Sequence, residues 1–430
     1  MVKPNIDSPI IPIPIIKRVK RFHLLPNFWK IFSIVLVWRI CLEFINQFVV
    51  PLVDRYGNIS SLIDGLSRWR AWDGEWYFGI ITTGYHYSSS IATSVPQNVA
   101  FFPGFPAIVR LVHNISRLPY LYAGLLSNFL LTVGIVYIAC ELYAIFVEKY
   151  TSKINKPESK LTNFWPAIIV LSLPTTFIFA AFYADALLVF CLMLAIYLGL
   201  KKRYILAAVF AGFASGVNPI GVIAAPALLL MFIEQESLLA KLANSFVGTV
   251  KKYTLKTLTM SILSINGILI YMLYLWHRFS NPLAFYKVEK AWGRASSSSF
   301  FSNLSYIWRI YYAHLFNLSY FGNYRFELLI SLSDMLIPIL AIVIIVISIY
   351  KKAWWLAIYS LLLILVPIST GTLVSLNRYA LGLIPALIFI FALASKKRQK
   401  YAWIIVSLTA VTEIIFTVIF LQNFILYLVG

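Results

Sequence analysis

Long apolar runs separated by short polar segments make up most of the chain. A helix that crosses a membrane needs about 20 predominantly apolar residues, with a working range of about 17–25. Eight runs reach this length and are predicted to span: residues 29–50, 118–147, 164–181, 256–277, 328–350, 353–369, 379–394 and 402–428. Two further stretches, residues 183–200 and 204–233, are expected to span as well.

The last of these stretches is interrupted by Asn218 and Pro219. Proline lacks a backbone donor and disfavours helix in the residue before it, so two short helices with a tight bend at residues 217–221 are predicted. With this bend counted as a turn, the pattern predicts an all-α polytopic bundle of about eleven spans.

The composition agrees with a membrane protein. Hydrophobic residues make up 60% of the chain and charged residues only 12%, about half the charged share of a soluble domain. The cysteines, Cys41, Cys140 and Cys191, lie in apolar runs, and the histidines lack the spacing of metal ligands. We therefore predict a single integral membrane unit over residues 1–430, without a metal or cofactor.

The charge pattern predicts an orientation. Lys and Arg number 36 against 16 Asp and Glu, and most of this excess lies in short loops on the side of the N-terminus. Such a bias marks the cytoplasmic side of a membrane protein, and it makes a nucleic-acid partner improbable. The N-terminus is therefore expected in the cytoplasm. The absence of a long soluble domain favours a cell membrane over the endoplasmic reticulum.

The opposite side collects the compact clusters of polar, aromatic and glycine residues. They fall in a first outer loop, residues 51–118, a second outer loop, residues 279–325, and three helix ends. Short helices lying along the membrane surface are expected in both loops. Because polar groups near a membrane are costly and tend to be functional, this side is expected to carry the site.

The first outer loop holds charged and aromatic residues in close succession: Arg70, Trp72, Asp73, Glu75, Trp76 and Tyr77. An interfacial aromatic belt explains the rings, but it does not explain two carboxylates beside arginine. A carboxylate here can accept a proton from an attacking hydroxyl, and arginine can bind phosphate. Asp73 and Glu75 are therefore the catalytic candidates.

The remaining candidates have simpler alternatives that the sequence leaves open. Asp185 begins a helix, where an acid also complements the helix dipole, and Asn218 also suits a plain turn. Other residues suit either membrane anchoring or the binding of an anionic headgroup: Lys287, Arg294, Arg378 and Tyr379.

Taken together, these segments resemble the PIG-V type of mannosyltransferase (GPI mannosyltransferase II and its prokaryotic relatives), in the GT-C class of glycosyltransferases. The similar segments follow the family order: residues 72–85, 101–106, 174–187, 218–221, 281–294 and 378–379. Two positions depart from the family pattern, since Asp185 replaces a glutamate and Asn218 replaces an arginine.

The resemblance implies transfer of a hexose, expected to be mannose, from a polyprenyl- or dolichyl-phosphate sugar to a lipid-linked or glycan acceptor. Asp73 would then activate the acceptor hydroxyl, and Glu75 would bind the acceptor or support Asp73. The expected contacts to the donor phosphate come from four basic residues: Arg70, Lys287, Arg294 and Arg378.

Two other functions stay open. Glu43, Glu141 and Glu413 lie within or near predicted spans, and intramembrane carboxylates can mark the pathway of a transporter or of a flippase for a lipid-linked sugar. A scaffold protein of the cell envelope is the second alternative, although it has no need for an acidic and aromatic loop.

Overall fold

The architecture is known from a computed structural model that describes residues 24–53, 62–151, 164–294, 301–305, 307–308, 325–370, 373, 375–394 and 401–422. Within these ranges the ordered elements are helices and there is no strand, which confirms the all-α prediction. Residues 54–61 of the first predicted outer loop, and residues 295–300, 306 and 309–324 of the second, lie outside the described ranges.

In the described part of residues 24–235, we number the following α-helices: α1 (Leu24–Phe44), α2 (Leu62–Ser67), α3 (Asp73–Thr83), α4 (Gly104–Ser116), α5 (Tyr120–Tyr150), α6 (Trp165–Leu171), α7 (Asp185–Leu200), α8 (Tyr204–Val217) and α9 (Ala224–Gln235). A π-helical turn, Ile45–Val49, and a short α-helical turn, Val50–Val53, extend α1.

The second half continues with α10 (Leu238–Asn244), α11 (Phe246–Phe279), α12 (Ala284–Val288), α13 (Arg325–Tyr350), α14 (Trp354–Ser369), α15 (Leu376–Tyr379), α16 (Ile384–Leu393) and α17 (Ala402–Leu421).

Five helical segments of the described chain are long and apolar enough to cross a membrane: Tyr120–Tyr150, Phe246–Phe279, Leu332–Tyr350, Leu376–Leu393 and Trp403–Leu421. A sixth arises if the pair Pro219–Gln235 and Leu238–Asn244, bent by 57°, counts as one span. Three shorter apolar helices accompany them: Asp185–Leu200, Tyr204–Val217 and Trp354–Ser369. These helices identify the chain as an integral membrane protein.

The bend predicted between α8 and α9 is confirmed. Helix α8 ends at Val217, and the Asn218 side chain accepts a hydrogen bond from the Ile220 backbone N–H at 3.0 Å. A 3-10 turn, Pro219–Ile223, then leads into α9. The proline occupies the first turn of the new segment, where its missing N–H costs nothing.

The predicted span over residues 164–181 is not one helix. Helix α6 ends at Leu171, and a 3-10 turn, Thr176–Ala180, follows after a short break. Pro174 lies in that break, where it supplies no donor to a continuing helix and disfavours helix at the residue before it. The chain therefore reaches Asp185 through irregular backbone that is buried throughout residues 174–184, apart from the partly exposed Pro174.

Small residues allow helices α8 and α11 to approach closely. A Cβ atom added to Gly267 of α11 would lie 2.2 Å from the Gly212 carbonyl oxygen and 2.4 Å from the Gly216 nitrogen. Such small-residue contacts are typical of helix packing in membranes, where close backbone approach supplies the van der Waals attraction. The end of α8 also packs on Gly104, at the start of α4, so this crossing helps to place the first predicted outer loop.

Candidate functional site

A buried ion cluster joins three segments that are far apart in the sequence. The Arg378 Nη1 atom lies 2.7 Å from Asp73 Oδ2, and its Nε atom lies 3.3 Å from Asp185 Oδ1. The Arg378 side chain is 8% exposed, that of Asp73 is 12% exposed and that of Asp185 is 9% exposed. The structure thus brings together three of the predicted site residues, and a single guanidinium lies between two carboxylates.

The cluster is energetically demanding. Desolvating a charge costs several kcal/mol, and removal of one partner from a buried pair typically costs about 3–5 kcal/mol because the other charge stays buried. Here two carboxylates share one guanidinium, so loss of Arg378 would leave two buried like charges. Compared with apolar residues of similar size, a buried ion cluster adds little stability, although removing one member is costly. The cluster is therefore a candidate for a functional site.

Asp73 is held at a strained turn. It begins α3, directly after Trp72, whose φ is 59° and ψ is −119°. A bulky residue at positive φ costs about 1–3 kcal/mol, and such strain is concentrated at functional sites. The Asp73 backbone N–H donates to the Tyr183 hydroxyl at 3.1 Å, which ties this turn to the segment that carries Asp185.

The irregular segment before Asp185 is fixed through its backbone. Asn128 of α5 donates its side-chain amide to the carbonyl oxygens of Ala181, at 2.5 Å, and Tyr183, at 2.9 Å. The Phe182 N–H donates to the Trp69 carbonyl oxygen at 2.8 Å. These hydrogen bonds satisfy non-helical backbone that is buried, and we call residues 180–183 the corner.

The segment that carries Arg378 is also held by hydrogen bonds to its backbone, and the residues that make them were not predicted from the sequence. Asp334 of α13, fully buried, accepts a hydrogen bond from the Asn377 N–H at 3.2 Å. Thr175 donates to the Asn377 carbonyl oxygen at 3.0 Å. A lone acid inside an apolar run was the signal available for Asp334, since such residues tend to face the interior of a bundle. Asn128 and Thr175 offered no comparable signal.

An aromatic cluster lies beside the acids. The Trp76 ring stacks on Phe101 at a centroid distance of 5.8 Å and meets Trp292 edge-on at 5.3 Å. Tyr77 packs against Phe101 and Phe105. Burial and the charge of Asp73 raise the pKa of Tyr77 above its usual value, so its hydroxyl stays protonated. The two predicted outer loops therefore meet through their aromatic residues.

A second cation, Arg294, lies near the cluster, beside the Tyr379 ring. Arg294 lies 3.3 Å from Glu289, and its guanidinium lies 5.8 Å from the centre of the Tyr379 ring. The Arg378 guanidinium lies at the same distance from that ring. Burial raises the pKa of Glu289, and the neighbouring Arg294 opposes this rise.

Glu75 and Arg70 pair with each other outside the buried cluster. The Arg70 Nε atom lies 2.8 Å from Glu75 Oε1, and the Glu75 side chain is 57% exposed. The Arg70 guanidinium also covers the Phe78 ring at 4.3 Å. Trp72, half-buried, packs on the apolar cluster that contains Trp69.

Two of the predicted site residues, Asn218 and Lys287, lie away from the buried ion cluster. Asn218 caps the bend before α9. Lys287 is exposed and lines a separate cavity of about 490 Å³ with Tyr87, Ser89, Phe279, Ser280 and Asn281. Neither residue has a described contact with Asp73, Asp185 or Arg378.

The three glutamates near the predicted spans each accept a side-chain hydrogen bond. Glu43 accepts from the Trp69 indole at 2.9 Å, Glu141 from the Tyr197 hydroxyl at 3.4 Å, and Glu413 from the Trp38 indole at 3.1 Å. These bonds give each carboxylate a structural partner.

Chemically, the site offers buried carboxylates for proton transfer, a guanidinium for an anion and two partly exposed indole rings, Trp76 and Trp292, for an apolar or sugar face. Among the residues that the structure describes, no group of three or more His, Cys, Asp or Glu side chains is placed to hold a metal ion. Comparison of the chain with known protein families and with curated proteins found no match.

Proposed function

We propose that the chain is a membrane glycosyltransferase of the GT-C type, similar to the PIG-V mannosyltransferases. It transfers a hexose, foremost mannose, from a polyprenyl- or dolichyl-phosphate sugar to a lipid-linked or glycan acceptor. The observation that carries this proposal is the position of Arg378 between Asp73 and Asp185, because each residue comes from a different motif of the resemblance.

The proposed reaction begins at Asp73. Its carboxylate accepts the proton of an acceptor hydroxyl, the hydroxyl oxygen forms a bond to the anomeric carbon, and the bond from that carbon to the phosphate oxygen breaks. The bonding electrons leave with the lipid phosphate. A general base in this role contributes about 10²–10⁴-fold to the rate.

Arg378 is proposed to stabilise the leaving phosphate. A guanidinium has five N–H donors. The Arg378 Nη1 and Nε atoms lie within ion-pair distance of the carboxylates but neither makes a hydrogen bond within the described part of the chain, so donors remain for a phosphate oxygen. The Arg294 guanidinium, which lies beside the same Tyr379 ring as Arg378, adds positive charge nearby. Charge that grows on the leaving group is then met by preorganised donors.

The proposed location follows from the donor. Nucleotide sugars are made in the cytoplasm, so a transferase whose site faces the other side needs a sugar already carried across by a lipid. We propose about eleven crossings, a cytoplasmic N-terminus and a site at the outer face of a cell membrane. The basic residues on the N-terminal side support this orientation.

The test uses purified protein in lipid vesicles with radiolabelled polyprenyl-phosphate mannose and lipids extracted from the native membrane. Label is expected to appear in a new lipid or glycan product. Transfer from another lipid-linked hexose alone would keep the reaction class and correct the sugar. Movement of the labelled lipid across the bilayer without any transfer would overturn the proposal in favour of a flippase.

A further inference from the structure

The Glu43 carboxylate accepts four side-chain hydrogen bonds. Near the end of α1, its Oε1 atom accepts from the side-chain amides of Asn46 and Gln47, each at 2.9 Å. Its Oε2 atom accepts from the Trp69 indole at 2.9 Å and from Arg39 at 3.4 Å. The π-helical turn Ile45–Val49 carries both amides, and such turns occur frequently at functional sites.

This carboxylate connects the two segments that carry the acids. Trp69, which it holds through the indole, lies four residues before Asp73 and accepts the Phe182 N–H at its carbonyl oxygen. Arg39, its ion-pair partner, donates to the Ala180 carbonyl oxygen at 2.8 Å and covers the Trp69 ring at 4.7 Å. One polar pair on α1 therefore contacts both the turn before Asp73 and the corner before Asp185.

We propose that Glu43 is a positioning residue that fixes Asp73 and Asp185 relative to each other. A carboxylate has lone pairs for all four donors, whereas an amide has one oxygen and brings two more N–H groups. The amide side chain introduced by Glu43→Gln would therefore release at least one donor. The effect on turnover rests on the proposed transferase function, but the effect on the backbone does not.

Glu413 supplies a matched control. It is also a buried carboxylate that accepts from an indole, Trp38, yet it has no described contact with residues 68–78 or 178–187. A role in general stability predicts similar consequences for Glu43→Gln and Glu413→Gln. A positioning role predicts a difference between them.

The first measurement is steady-state transfer at equal amounts of folded protein. Misplacing a reacting group by about 1 Å can cost on the order of 100-fold in rate. Glu43→Gln is expected to lower kcat by about 10- to 100-fold with KM changed less than about twofold, whereas Glu413→Gln keeps the parent kcat. Trp69→Phe, which keeps an aromatic ring and removes the indole N–H donor, is expected to lower kcat similarly, and the double variant no further. Equal kcat values for the two glutamate variants would overturn the proposal.

The second measurement is amide hydrogen exchange, which needs no substrate. In Glu43→Gln, peptides that cover residues 68–78 and 178–187 are expected to exchange faster than in the parent and in Glu413→Gln. If Glu43→Gln fails to fold, Trp69→Phe provides the same comparison. Unchanged exchange in both segments would overturn the positioning role. A parent without transferase activity but with the expected exchange pattern would instead overturn the proposed function alone.

Discussion

At the scale of single residues, the site is defined by shared partners. Arg378 contacts two carboxylates, Tyr379 lies beside two guanidiniums, and Tyr183 bonds the backbone of Asp73 while lying under Arg378 at 5.2 Å. Each of these contacts depends on the others, so we expect substitutions within the cluster to act together rather than additively.

The role of Arg378 in folding is a first prediction. Arg378→Met is expected to destabilise the protein by about 3–5 kcal/mol, because Asp73 and Asp185 would remain buried without a cation. Thermal unfolding in detergent measures this effect. The triple variant that also carries Asp73→Asn and Asp185→Asn is expected to recover part of the loss. A triple variant that is no more stable than Arg378→Met would contradict this explanation.

Glu289 provides a prediction on pH. Its pKa is raised in the folded protein, chiefly by burial, so its contribution to stability is fully present below its unfolded pKa and is lost as pH rises through the folded value. The parent is therefore expected to lose stability relative to Glu289→Gln as pH rises from about 4.5. Unfolding midpoints of both proteins across this range test the sign, and a parent that gains stability relative to the variant would contradict it.

At the scale of the elements, close glycine contacts set where the corner at residues 180–183 lies. A Cβ atom added to Gly124 of α5 would lie 2.2 Å from the Phe182 ring. Gly134, further along the same helix, makes a similar contact with the Phe190 ring, at 2.5 Å. The first ring belongs to the corner, and the second belongs to the middle of α7.

These two glycines form a matched pair for a prediction. Gly124→Ala and Gly134→Ala are each expected to destabilise the protein by about 1–3 kcal/mol, since overpacking moves the facing ring. Only Gly124→Ala is expected to lower sugar transfer at equal folded protein, because Phe182 is part of the corner. Equal transfer rates in the two variants would show that the corner does not set the site.

Local physics explains which elements could be predicted from the sequence. The bend at Asn218 depends on the adjacent Pro219, so two neighbouring residues in the sequence are enough to predict it. The break within residues 164–181 had a comparable local signal, since Pro174 stands among Ser172, Thr175 and Thr176, but the length of the run favoured a single span. The charge pairing of the site was beyond the sequence, because Asp73 and Arg378 are separated by most of the chain and nothing local indicates that they meet.

At the scale of the whole molecule, the fold brings residues from both ends of the chain to one buried cluster. Helix α3 supplies Asp73, the start of α7 supplies Asp185, and the segment before α16 supplies Arg378. Such convergence needs a folded bundle, so activity is expected to require the inserted, folded protein.

The proposed orientation makes a further prediction. In a variant with the three native cysteines replaced by serine, Lys290→Cys is expected to react with a membrane-impermeant maleimide added to intact cells. Lys202→Cys is expected to react only after permeabilisation. Both positions are exposed in the structure. The opposite labelling pattern would reverse the orientation and place the cluster's side of the bundle in the cytoplasm.

The proposed catalysis of sugar transfer by the buried cluster, with Asp73 as the base, is tested by one rate measurement. The initial rate of labelled mannose transfer from polyprenyl phosphate is compared for the parent, Asp73→Asn and Glu141→Gln, at equal amounts of inserted protein. Transfer is expected from the parent and from Glu141→Gln, with a loss of at least about 100-fold in Asp73→Asn. Equal rates in all three proteins would contradict the assignment of Asp73.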